Sequence, residues 1–188
     1  MQTRTMFNSP IARPLLRGLS QFLLKLFGWK VTGGIPKELQ KCVIIAAPHT
    51  TNWDMPVSLM VAFSLDTSLH WVGKSSIFRF PFGGLMRWMG GIPVDRSQSN
   101  NMVAATVATF AQYSELRIMM APEGTRAKVR AWKSGFYHIA HGAGVPLALG
   151  FVDYKNRCAG IGKIINTSGS YDADMVEIRE FYRPFEEL

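Results

Sequence analysis

Cysteine is scarce in this chain: Cys42 and Cys158 are the only two among 188 residues, and they form no Cys-x-x-Cys pattern. That excludes a disulfide framework, supplies no zinc-binding signature and points to a reducing compartment. Long apolar runs are also missing. No stretch reaches the ~18 consecutive apolar residues of a membrane-spanning helix. The opening MQTRTMFNSP has neither the apolar centre nor the cleavage pattern of a secretory leader, so none is expected. Walker and dinucleotide-binding glycine patterns are absent, and so is a Gly-x-Ser-x-Gly nucleophile elbow. Acidic residues are few: 13 Asp and Glu stand against 21 Lys and Arg, a formal net charge of +8. Such an excess suits an acidic lipid or a phosphorylated substrate. The basic residues are dispersed and no nucleic-acid motif is present, which argues against nucleic acid.

What remains is a chain that is 47% hydrophobic, enough for one domain with a sizeable core. Near its start, RPLLRGLSQFLLKLFGW places Leu15, Leu16, Leu19, Phe22, Leu23, Leu26 and Phe27 on one helical face, with Arg13, Arg17 and Lys25 off it. Two arrangements fit this pattern. The helix packs its stripe on the domain, or it lies in a headgroup layer, where seven such side chains at ~1 kcal/mol each would make a useful anchor. Residues 1–30 are read as this helical segment and 31–188 as the domain proper.

Beyond it, short apolar runs alternate with helical patterns. Strands are predicted at Cys42–Ala47, Leu69–Val72, Ile92–Val94, Leu116–Ala121, Val145–Val152 and Gly160–Asn166. Helices are predicted at Met55–Leu65, Asn101–Ser114, Ser134–Gly142 and Asp172–Tyr182, with a short helix or turn at Pro81–Met89 and a polar loop at DRSQSNN. This alternation predicts a single α/β domain, with a mostly parallel sheet flanked by helices.

Three stretches carry the chemistry. In APHTTNWDMP, His49 follows a strand and Asp54 comes five residues later. A carboxylate on Nδ1 of a histidine fixes the tautomer and leaves Nε2 to take a proton. A His/Asp spacing like this arises by chance in about one such chain in eight, so alone it is weak. In PEGTR, after another strand, Gly124 permits close backbone approach, Thr125 offers a hydroxyl, Arg126 a fork of donors suited to phosphate, and Glu123 a carboxylate to hold the loop. The segment GKSSIFRFPFGGLMRWMGGIPVDR is glycine-rich, aromatic and basic, with Lys74, Arg79, Arg87 and Arg96. His138 and His141, an i, i+3 pair, lack a third ligand at matching spacing, and no metal site is expected. Trp132, Phe136 and Tyr137 are read as packing near the mouth of the site rather than holding a cofactor.

Taken together, these stretches resemble the glycerolipid acyltransferases, the lysophosphatidate (1-acyl-glycerol-3-phosphate) acyltransferases and their relatives. His49 and Asp54 match that family's His-x4-Asp block. Lys74, Pro81, Gly83 and the run Gly91 to Arg96 match its second block, Pro122 to Arg126 its Pro-Glu-Gly-Thr-Arg block, and Val145-Pro146-Leu147 its apolar Val-Pro strand. Order and spacing agree from about residue 40 to 152. Two positions depart: Ala127 stands where Ser usually follows the third block, and Gly150 sits near the place of a second proline.

The resemblance implies transfer of a fatty acyl group from a coenzyme A or acyl carrier protein thioester to a lysophospholipid hydroxyl, giving phosphatidate if the acceptor is 1-acyl-glycerol-3-phosphate. His49 would be the general base and Asp54 its orienting carboxylate. Lys74, Arg96, Glu123, Gly124, Thr125 and Arg126 would form the acceptor site. Neither metal nor cofactor is expected, only the acyl donor as co-substrate. Peripheral association with anionic lipid, on the cytoplasmic side of a membrane, follows from the same reading. The alternatives are a different lysolipid or amine-bearing acceptor, or a lipid-binding module without catalysis.

Overall fold

The computed structural model describes residues 4–48, 51–94, 99–124 and 131–186, with backbone alone at 99–101 and 186. Seven strands form one sheet: β1 (Lys30–Gly33), β2 (Lys41–Ala47), β3 (His70–Lys74), β4 (Gly91–Val94), β5 (Leu116–Met120), β6 (Leu147–Asp153) and β7 (Cys158–Ile165). Their spatial order is β1-β7-β6-β2-β5-β3-β4. Strands β2 to β6 run parallel, β7 is antiparallel to β6, and β1 runs parallel to β7. The α/β architecture with a mostly parallel sheet is therefore the one the alternating pattern predicts. Being flanked on both sides, β2 reads as a continuous apolar run, KCVIIAA, rather than an alternating one.

Helices α4 (Ser99–Gln112), α5 (Gly135–Ala143) and α6 (Tyr171–Glu186) cover one face. There Val43 and Ile45 of β2, Ile118 of β5 and Leu147 and Leu149 of β6 pack against Phe110, Phe136, Ile139, Met175, Ile178 and Tyr182. The Tyr182 hydroxyl, fully buried, donates to the carbonyls of Ile45 (3.2 Å) and Gly150 (2.8 Å), tying β2 to β6. The sheet register shifts between Leu149 and Gly150, so a carbonyl there is turned from the ladder toward Tyr182. Helices α2 (Asp54–Ser64) and α3 (Gly83–Trp88) cover the other face. On it Cys42, Ile44 and Ala148 meet Ala62 and Phe63 of α2. Trp71, in register with Met119, stacks near Phe78 and donates from Nε1 to the Met89 carbonyl, which places α3 on the same side.

Helix α1 (Ala12–Leu26) lies outside α2. It buries Ser20 and Leu24, while Arg13 and Arg17 reach the carboxylate of Asp66 at 2.8 and 3.2 Å. Most of its apolar stripe turns away from the domain: Leu15, Leu19, Phe22, Leu26 and Phe27, with Ile11 before them, are exposed, whereas Leu23 is half-buried and Leu16 packs on the core. Of the two arrangements open to the sequence, full inward packing of the stripe is not the one seen: the helix packs by one edge and leaves most of the stripe exposed. Three further features were not anticipated. Residues 4–8 fold back, with Met6 and Phe7 buried against Phe63 and Leu69. Strand β1 pairs with β7 at the sheet edge. Helix α4 begins at Ser99, inside the stretch read as a polar loop.

Candidate active site

Parallel pairing brings the carboxyl ends of four neighbouring strands to one edge. β2 leads into Pro48 and then His49, β5 into Pro122, Glu123 and Gly124, β3 ends at Lys74, and β4 leads toward Arg96. Open α/β sheets build sites at such an edge. Strands lie ~4.8 Å apart, so the Glu123 loop is the immediate neighbour of the loop after β2. Lys74 is two strands away and the β4 exit three. Among the residues expected at the site, Asp54, Lys74, Glu123 and Gly124 are described and share this edge. His49, Arg96, Thr125 and Arg126 lie outside the described residues.

Asp54 opens α2 and is buried at 5% exposure. Its carboxylate accepts from the Thr51 backbone N–H (2.9 Å), the Thr51 hydroxyl (3.1 Å) and the Tyr154 hydroxyl (2.7 Å). Thr51 in turn accepts from the Trp53 N–H at 3.0 Å. The Asp54 carboxylate reaches back over the turn to the Thr51 N–H, and the Thr51 side chain takes up the Trp53 N–H, so the turn into α2 is closed by side chains. A charge removed from water is costly unless hydrogen-bonded, and these donors meet that requirement while fixing the carboxylate's direction. Burial, chiefly, and the Asp54 carboxylate push the Tyr154 phenol up to about 12, so it remains a proton donor to Asp54 across the neutral range.

Two contributors had no sequence signal. Tyr154 follows β6, 100 residues from Asp54. Lys133 donates its backbone N–H to the Pro122 carbonyl (2.9 Å), and its side chain lies over Gly124. Gly124 has φ +65, a conformation that favours glycine. A Cβ there would sit 2.9 Å from the Lys133 ammonium. The loop after β5 thus carries an exposed cation beside Glu123, in addition to the arginine the sequence places on it. Trp132, Phe136 and Tyr137 do not form a mouth: Phe136 and Tyr137 are buried in the core under α5, and Trp132 packs edge-on against Phe136 and Tyr182. His138 stacks on Tyr171 and His141 meets the Thr167 hydroxyl at 3.1 Å. Among the described residues no cluster of three metal-ligating side chains exists.

Asp54 stands at one end of an apolar cavity of about 240 Å³ between α2 and the sheet. The cavity follows α2 from Asp54 and Met55, past Ser58 and Val61, to Leu65 and Leu69. Eleven helical residues span about 16 Å. Its floor is made of small residues, Ala46, Gly150 and Gly160 among them. Such a shape accepts an unbranched apolar chain with its polar end at Asp54. Cys42 lies in the core between the two ends of β2, and burial raises its thiol to about 12. It is therefore not a thiolate nucleophile.

The chain's relations agree with this arrangement. Residues 30–148 match the family model described as Acyltransferase. The 1-acyl-sn-glycerol-3-phosphate acyltransferases of Haemophilus influenzae and Salmonella typhimurium are each 33% identical to it, over 66% of this chain and 54% and 53% of theirs. The chain thus spans about half the length of the curated relatives it matches. The crystal structure of the 1-acyl-sn-glycerophosphate (LPA) acyltransferase PlsC from Thermotoga maritima shares the fold, with a TM-score of 0.66 at 17% identity, covering 97% of this chain and 85% of that one. With the family model matched over more than half its length and the His-x4-Asp and Pro-Glu-Gly-Thr-Arg blocks in order along the sequence, this chain belongs to the Acyltransferase family.

Proposed function

We propose that this protein is an O-acyltransferase. It moves a fatty acyl group from a coenzyme A or acyl carrier protein thioester to the free hydroxyl of a lysophospholipid, with 1-acyl-glycerol-3-phosphate as acceptor and phosphatidate as product. The observation that carries this reading is the buried, three-fold hydrogen-bonded Asp54 at the head of an apolar cavity. In the proposed reaction His49 Nε2 takes the acceptor hydroxyl proton as the oxygen attacks the thioester carbonyl. The C–S bond then breaks, and the thiolate leaves with the proton held by His49. General base catalysis of this kind supplies roughly 10²–10⁴ in rate. No acyl-enzyme is required, consistent with the buried Cys42 thiol.

The acyl chain of the donor would occupy the cavity under α2. The acceptor phosphate would lie on the other side of Asp54, facing the loops after β5, β3 and β4. Lys74, Arg96, Thr125 and Arg126 are assigned to it, with Lys133 added, and Glu123 and Gly124 shape the loop. The exposed stripe on α1 is taken as the membrane contact, lying in the headgroup layer of the cytoplasmic leaflet.

The test is thiol release from palmitoyl-coenzyme A and from acyl carrier protein thioester. The acceptor panel comprises lysophosphatidate, lysophosphatidylethanolamine, lysophosphatidylcholine and an amine-bearing lipid. Fastest turnover with lysophosphatidate, lost in His49→Ala, supports the reading. Thioester consumption with no member of the panel, or full activity in folded His49→Ala protein, would overturn it.

A further inference from the structure

The loop between β3 and α3 carries a second exposed apolar surface. Phe80 is 98% exposed and Phe82 64%, and Ile77, Leu85 and Trp88 around them are exposed as well. Solvent-facing apolar residues scattered singly need no explanation, but five between Ile77 and Trp88 mark an interaction surface. Nor is the loop loose. Gly83 donates its N–H to the Arg79 carbonyl at 2.9 Å, closing the turn that carries Phe80. Arg87 donates to the carbonyls of Phe78 (3.3 Å) and Gly83 (3.2 Å), with its guanidinium 5.5 Å from the Phe78 ring. A Cβ on Gly83 would lie 2.0 Å from the Phe78 carbonyl oxygen, so the chain could not fold back this tightly with another residue there. Phe78 and Trp71 anchor the base of the loop, and the aromatic tip is held outward on it.

The helices next to this tip and to the α1 stripe are carried on the same face of the sheet. Both α3 and α2 cover the same sheet face, α1 lies on α2, and the segment leading into α1 is bonded to the end of α3 through Met6 N–H and the Trp88 carbonyl at 2.8 Å. Charge on this side is predominantly positive, although Asp66 pairs with two of the cations, Arg13 and Arg17. Residues 1–37 hold six Lys or Arg and no acid, and residues 67–94 hold three and no acid. Lys25, Lys74 and Arg79 are exposed among the apolar side chains. Exposed phenylalanines flanked by cations, with a tryptophan at the margin, fit the acyl–headgroup boundary of an anionic bilayer. An acidic protein partner would be met by cations with few apolar groups between them. A second copy docked face to face would bring like charges together.

We propose that the Ile77–Trp88 loop is a bilayer-inserting wedge, separate from α1, which dips Phe80 and Phe82 into an anionic leaflet. Lys74, at the loop's base, ends a strand of the candidate active edge, so the wedge sets that edge at headgroup depth, where a lysophospholipid presents its hydroxyl. This rests on the acyltransferase reading only for its purpose; the binding itself is tested without turnover.

The full chain is compared with Phe80→Ser/Phe82→Ser in co-sedimentation with phosphatidylcholine vesicles, with and without phosphatidylglycerol. Both side chains are exposed, so the fold should be unaffected. The expected result is a loss of affinity for the anionic vesicles of about tenfold or more. Activity toward lysophosphatidate embedded in vesicles should fall in parallel, while activity toward a monodisperse short-chain acceptor is kept. Depth is read independently from a nitroxide on Phe80→Cys in a Cys158→Ser background, where Cys42 is buried: with vesicles it should favour collisions with oxygen over a water-soluble nickel chelate. The proposal is overturned if vesicle affinity is unchanged and the nitroxide stays in water. It is also overturned if the variant loses only its use of acyl carrier protein donors, or only self-association. If vesicle affinity depends on Phe80 and Phe82 while no acceptor is ever acylated, the wedge stands and the proposed function fails.

Discussion

Along β2, Val43 and Ile45 face α4, α5 and α6, whereas Ile44 and Ala46 face α2, and the two layers are filled differently. β6 repeats the contrast: Leu147 and Leu149 belong to the first face, Ala148 and Gly150 to the second. On the first face large side chains interdigitate, with Phe136, Ile139, Ile178 and Tyr182 almost fully buried. On the second, small residues leave the cavity that ends at Asp54. Packed interiors leave few voids wider than a water molecule. A lined channel along a whole helix is thus a feature of the sequence's small residues, not of loose folding. One face is filled throughout, and the other leaves a cavity beside its own buried cluster.

The largest effect that would sharpen this contrast lies at the edge both faces share. His49→Ala should lower acyl transfer roughly 10²–10⁴-fold, with little change in Tm. Asp54→Asn should also lower the rate strongly, through a wrongly held histidine. Initial rates and thermal unfolding on the same preparations check both. Next comes the filled face. Ile178→Ala deletes a fully buried side chain and should cost about 2–5 kcal/mol in denaturant unfolding, leaving acyl-chain preference unchanged. Tyr182→Phe removes one donor from two buried carbonyls, for about 1–3 kcal/mol. On the hollow face Ala46→Leu should behave oppositely, changing stability by less than about 1 kcal/mol because the added methylenes enter the cavity rather than a filled core. It should shift donor preference toward shorter acyl chains, read from rates over a series of acyl-coenzyme A lengths. Equal effects of the two core changes on chain preference would break the distinction between the faces.

How much of this was legible in the sequence follows from which contacts are local. Strands β2 and β5 declare themselves as apolar runs ended by Pro48 and Pro122, and Thr51 and Asp54 lie within one turn. The His-x4-Asp and Pro-Glu-Gly blocks are short and specific enough to name the family. By contrast, β1 is four residues with one apolar member, Val31, and exists because Lys30 to Gly33 pair with Cys158 to Ile161, over 120 residues away. Tyr154 reaches Asp54 only through the adjacency of β6 and β2. Periodicity identified the stripe on α1 but not its direction: Leu16, Ser20 and Leu24 turn toward the domain, and Arg13 and Arg17 bind Asp66 at the end of α2. The cavity, too, needs the fold, because Ala46, Gly150 and Gly160 become one floor only when β2, β6 and β7 are neighbours.

The smallest expected effect compares two carboxylates, one on each side of the sheet. Beside the filled face, Asp174 accepts from the Tyr137 hydroxyl and the Ser168 N–H, both at 2.7 Å. Burial alone would raise its pKa, but those hydrogen bonds outweigh it and hold the carboxyl below its ordinary 3.8. On the α2 side, Asp66 is held below the same value chiefly by the hydrogen bond from Arg13. A carboxyl depressed in the folded state contributes stability that is present above its unfolded value and is lost as pH falls through the folded one. Both therefore work at neutral pH and fail in acid. Asp174→Asn should lower Tm at pH 7 and flatten the fall in Tm below about pH 4, with little change between low and high salt, because hydrogen bonds from neutral groups outweigh the charge of His141. Asp66→Asn should do less, since an ion pair about a third exposed is screened, and its effect should shrink in high salt. Thermal unfolding of the two variants across pH and salt measures both. A larger, salt-insensitive loss from Asp66→Asn would mean that α1 is held to the domain as firmly as the filled face is held together, and that the anchor side of the molecule is not the softer one.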